Sequence, residues 1–98
     1  MSFTLAFRRI ARIEFDQDAN LYERKRKGLG ARFVRAVNAV LDRISDQPDF
    51  YPEVHGNIRE AILSKYPYSI YYVVDPQAVI VLSVFHTSRD PAIWQNRV

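Results

Sequence analysis

The side chains that could do chemistry gather in the C-terminal third: Arg59, His86 and Arg89, with Lys65 and the tyrosines Tyr66, Tyr68, Tyr71 and Tyr72 between them. An arginine fork grips a phosphate bidentately. A histidine or tyrosine within reach could move the proton of an attacking ribose 2′-hydroxyl while the cations hold the phosphate. Arg59, a tyrosine and His86 on one concave sheet face would thus be equipped to bind and cut RNA. The same residues have a plainer reading, in which His86 hydrogen-bonds locally at a strand end and the arginines pair with Glu60, Asp90 or water. The tyrosines could stack on bases, but alternation along a strand must send one set of them under the helices. Arg59 opens its apolar run and His86 closes its own, so the two need not share an end of the sheet.

Other chemistries drop out quickly. The chain has no cysteine, so neither a disulfide nor a thiolate metal site is available, as fits a reducing cytosol. His55 and His86 lie in no spacing that suggests zinc. There is no glycine-rich phosphate loop and no glycine-flanked serine nucleophile. No metal and no cofactor is expected. The first seven residues carry no basic region and are too short for a signal-peptide core. No apolar run approaches the roughly 20 residues of a membrane span.

The elements that must position these residues follow from periodicity. Residues 58–63, 68–74 and 78–85 are three apolar, β-branched or aromatic runs. The breaks between them are short enough for hairpins, which predicts an antiparallel meander. The last run has no charge, as expected of a central strand covered on both faces. Near the N-terminus, Phe3, Leu5 and Phe7 alternate as a strand does. Ala11, Phe15, Ala19 and Tyr22 then form one helical stripe, which Ile10 and Ile13 widen toward the helix start. The basic run 24–27 and Gly28 end this helix. Leu29-Gly30 is so short a connection that the next helix must run back antiparallel. That helix, over 31–46, buries Phe33, Val37, Val40, Leu41 and Ile44. Residues 53–57 read as loop. Asp90 is placed to cap a short helix that begins at Pro91 and contains Trp94.

The sum is one α+β domain spanning residues 1–98. It has the order β-α-α-β-β-β, a helical hairpin packed on a twisted antiparallel sheet, and a short C-terminal helix or arm. Ninety-eight residues bury only a modest share of their surface, roughly 60–65%, so a partner that covers spare apolar area is worth seeking. The net charge is +3, and eleven of the fourteen basic residues are Arg. That excess is compatible with an acidic protein partner or a nucleic acid, and with neither.

Arg59, then Pro67-Tyr68 with Tyr71 or Tyr72 soon after, then His86-x-x-Arg89-Asp90-Pro91-x-x-Trp94 resembles the RelE/ParE superfamily of type II toxin–antitoxin toxins. Tyr22-Glu23 and Gly28-Leu29-Gly30 resemble the same family, and the likeness covers nearly the whole chain. Its motifs are diffuse, but all are present and in the family's order. The resemblance implies a cytoplasmic bacterial growth inhibitor held inactive by a cognate, ParD-like antitoxin that wraps it. Within the superfamily, RelE-like members cut messenger RNA on the ribosome, and ParE-like members inhibit DNA gyrase by binding. The Leu-Tyr-Glu helix, the Gly-Leu-Gly hinge, the His-x-x-Arg-Asp-Pro ending and the scarcity of lysine are closer to the ParE-like, plasmid-stabilisation branch. Arg59 and His86 match positions that can be catalytic in the ribonuclease branch, so an endoribonuclease with Arg59, His86 and Arg89 as its catalytic residues stays open as the alternative. A non-toxic interaction domain is the third.

Overall fold

The computed structural model describes residues 3–97. Met1, Ser2 and Val98 lie outside them, so the N-terminal stretch read for a secretion signal is followed only from Phe3. The elements are β1 (Thr4–Phe7), α1 (Arg9–Lys25), α2 (Leu29–Asp46), β2 (Glu53–His55), β3 (Ile58–Ile62), β4 (Tyr68–Val74), β5 (Ala78–His86) and α3 (Ala92–Gln95). They build one five-stranded sheet in the order β1-β5-β4-β3-β2. The meander β3-β4-β5 is antiparallel, as its short turns require. β1 instead runs parallel to β5, from Thr4 opposite Ala78 to Phe7 opposite Val81, and this makes the sheet mixed. A four-residue strand carries no local mark of which distant strand it will join. β2 is likewise more than the expected loop. Three exposed residues pair antiparallel with β3, Glu53 opposite Arg59 and His55 opposite Ile58. An edge strand that buries nothing shows no alternation to read.

The helical hairpin is stitched at its turn. Gly28 takes φ +90°, a conformation that favours glycine. Both carboxylate oxygens of Glu23 accept from the Gly28 N–H, and Oε1 also accepts from the Gly30 N–H at 3.0 Å. A Cβ on Gly30 would lie 2.6 Å from the Ala19 carbonyl oxygen, so the two helices approach there as only glycine allows. α2 buries Phe33, Val37, Val40, Leu41 and Ile44, all of the expected stripe. α1 buries Ala11 and Phe15 and packs Ala19 and Tyr22 against the core. Ile10 and Ile13 do not widen that stripe. They are 47% and 41% exposed on the outer side of α1.

Both faces of the sheet are apolar. The helix side carries Ile70, Tyr72, Val79, Val81 and Val84 against α1 and α2. The other side carries Ile58, Tyr71, Val73, Leu82 and Phe85, with Trp94 of α3 laid over it. Each such side chain is worth about 1.5–3 kcal/mol when fully buried. β5 holds a bulge: Tyr72 pairs with Val81 but Tyr71 with Ser83, leaving Leu82 unmatched. Val79 and Val81 face the helices, so strict alternation would send Val84 and His86 to the far side. The extra residue shifts the phase. Val84 joins the helix-side core, and His86 comes to lie opposite Tyr68.

Candidate functional site

That phase shift makes the site. The end of β5 delivers His86 beside Tyr68, ring centroids 5.1 Å apart. The turn beyond is pinned back to β4 by the Thr87 N–H donating to the Pro67 carbonyl at 2.9 Å. Arg89 follows from this turn, and α1 supplies Asp18, Tyr22 and Lys25 from the facing side. Together they line a half-open cleft of about 340 Å³.

Its polar groups constrain one another. The Tyr68 hydroxyl donates to the Asp18 carboxylate. Burial raises the Asp18 carboxyl above its ordinary value, against the pull of the Tyr68 hydrogen bond and of the Arg89 and His86 charges. Burial, and then the Asp18 charge, push the Tyr68 phenol well above a free tyrosine. At neutral pH the pair is a phenol donating to a carboxylate. His86 Nδ1 accepts from the Ser88 N–H at 3.1 Å and lies 2.7 Å from the Ser88 hydroxyl. The first contact requires a lone pair on Nδ1, which assigns the proton of the neutral ring to Nε2. Arg89 stands over the Phe85 ring at 5.1 Å and 3.7 Å from Glu14. Glu14 also holds Arg97, at 2.7 and 2.9 Å, while Arg97 donates to the Leu82 carbonyl at the bulge. Lys25 lies over the Tyr22 ring at 5.6 Å. The cleft thus sets cations at its rim around one inner carboxylate.

Arg59 is elsewhere. It pairs with Tyr72, while His86 pairs with Tyr68. Four residues of β4 separate those two points, about 13 Å. Arg59 donates to the carbonyls of Asp49 and Tyr51 and lies 3.7 Å from the Asp49 and 3.9 Å from the Glu53 carboxylates. Only 19% of its side chain is exposed. Of the three sequence-nominated residues, then, His86 and Arg89 meet and Arg59 does not join them. Of the tyrosines, Tyr66 packs on Tyr22 and Phe33. Tyr71 is stacked under Trp94 at 3.8 Å, its hydroxyl on Glu60. Asp18 went unmarked in the sequence, although a signal existed. It falls three residues after Phe15 and four before Tyr22, a carboxylate on the buried stripe. Among the described residues, no group of three or more His, Cys, Asp or Glu could hold a metal ion, and no helix is long and apolar enough to cross a membrane.

The architecture is that of a type II toxin–antitoxin toxin. It matches a solved chain of a chromosomal ParDE TA system from P. aeruginosa at TM-score 0.64, over 87% of this chain and 96% of that one. The two are 15% identical, a likeness that carries the fold alone. Residues 14–91 match the model of the ParE toxin of the type II toxin–antitoxin system, parDE, and the chain belongs to that family. Among curated proteins none matches.

Proposed function

We propose that this toxin acts in the cytoplasm by binding DNA gyrase and is held inactive by a cognate, acidic, ParD-like antitoxin. Membership of the ParE toxin family supports the toxin role. Binding rather than strand cleavage is supported by one observation above all: Arg59 is spent on two backbone carbonyls, and its pairing position on β4 is about 13 Å along the strand from that of His86. Arg59 is therefore not available to hold a phosphate beside His86, as the three-residue cleavage site would need. The test is supercoiling by purified gyrase with rising toxin. Inhibition that the antitoxin reverses is expected, and unimpaired supercoiling at molar excess of toxin overturns the reading.

One observation favours a second reading, a ribosome-dependent messenger-RNA endoribonuclease: His86 and Arg89 do share a cleft, with Asp18 and Tyr68 beside them. In that reading His86 and Arg89 act on RNA, and Arg59 contributes only by holding the fold. New message ends on primer extension after induction, lost in His86→Ala, are its signature. Ends that persist in His86→Ala and Arg89→Ala would remove these residues from the mechanism.

A further inference from the structure

The cleft between α1 and the end of β5 combines charges of both signs with aromatic walls. An inner carboxylate, Asp18, is oriented by the Tyr68 hydroxyl. Two cations, Arg89 and Lys25, stand at the rim, with the Tyr22 and His86 rings forming walls. A purely anionic ligand would meet Asp18, and a purely cationic one would meet Arg89 and Lys25. A ligand that fits must bring an anion to the rim and hydrogen-bond donors to the interior, on a flat body that tolerates aromatic walls. The cleft holds about 340 Å³, at the small end of the range for single small-molecule sites.

We infer that this cleft binds a guanine nucleotide, with the base edge on Asp18 and the phosphate on Arg89 and Lys25. Guanine presents two adjacent donors, N1–H and the N2 amino group, to the two oxygens of a carboxylate acceptor. Adenine offers one amino group beside a ring nitrogen whose lone pair would face Asp18. The base lies against Tyr22 and His86, as bases do on aromatic side chains. Arg89 takes phosphate oxygens by its fork and Lys25 by its charge. The inference does not depend on gyrase being the target.

The test is titration of the intact protein with GMP, AMP and inorganic phosphate, followed by amide and side-chain NMR shifts of cleft residues. GMP should saturate, with shifts centred on Asp18, His86 and Arg89, and bind about tenfold tighter than AMP, because a site built for donors rejects the base that lacks them. Asp18→Asn should bring GMP to the AMP level, and Arg89→Ala should weaken both nucleotides. A short RNA with a 5′-phosphorylated guanosine end separates the two sources of this chemistry. Tighter binding than GMP assigns the site to a strand terminus, and weaker binding assigns it to the free nucleotide. Equal affinity for GMP and AMP, inorganic phosphate binding as tightly as GMP, or no saturation by about 1 mM overturns the inference. Those three outcomes are read on the unsubstituted chain, so they stand even if a variant fails to fold.

Discussion

The two ends of β4 make opposite use of the same residue types. At one end, the Tyr72 hydroxyl donates to the Pro48 carbonyl, and Arg59 beside it ties down the carbonyls of Asp49 and Tyr51. At the other end, Tyr68 donates to a carboxylate, and Arg89 is 45% exposed with one ion pair at 3.7 Å. A tyrosine and an arginine stand together in both places. In the first, the arginine's donors are consumed by the chain's own backbone, so it holds the 48–53 segment against the sheet. In the second, the arginine keeps donors for something else. What separates the two arginines is whether local carbonyls have already claimed the guanidinium.

The comparison is broken most sharply at Arg59. Arg59→Ala should cost about 2–3 kcal/mol, since a part-buried carbonyl loses its partner along with two nearby carboxylates. For a domain of this size that lowers the melting temperature by roughly 10–20 °C. If the variant melts within about 2 °C of the parent, the arginine is not structural and the contrast fails. Tyr72→Phe is milder, about 1–2 kcal/mol, for the hydrogen bond to Pro48 alone.

Alkaline titration probes the same phenols without mutation. Burial pushes Tyr72 up to about 12, and burial together with the hydrogen bond to Glu60 does the same to Tyr71. The folded values lie above the unfolded value near 10. Stability from these groups is therefore full below pH 10, because between 10 and 12 the unfolded chain holds fewer protons, and it is lost as pH rises through the folded values. Denaturant midpoints should be flat from pH 8 to about 10 and fall beyond. Tyr72→Phe should make that fall shallower.

Much of this fold was legible because its period is local. The α2 stripe and the limits of β4 need only neighbouring residues. The glycine hinge is legible too, once Glu23 is seen to reach it. The partner of β1 was not legible, because a four-residue strand cannot name a neighbour some seventy positions away. Nor was the face of His86, since one extra residue at Leu82 reverses it without a glycine or proline to announce the bulge. That single uncounted residue decides whether His86 joins Asp18 and Tyr68 or the opposite face. What the residue types left open at the candidate site was a register.

The smaller effects test the open end. Arg89→Ala should cost less than about 1 kcal/mol, because an exposed ion pair is worth little, while growth inhibition falls if the cleft serves function. Asp18 gives the most discriminating variant because the expected sign is unusual. Its folded carboxyl is raised, chiefly by burial. Its ionised form therefore disfavours the fold at neutral pH, and the favourable contribution is present only below the ordinary value near 3.8, being lost as pH rises through the folded one. Asn keeps an oxygen for the Tyr68 hydroxyl and removes the charge. Asp18→Asn should then melt at or slightly above the parent at pH 7, with the difference vanishing as the pH falls toward 4. Destabilisation at pH 7 would mean that Asp18 belongs with Arg59 as a structural group, and both ends of β4 would then be built alike. Unchanged stability with lost function would mark a carboxylate kept in a costly place for what it binds.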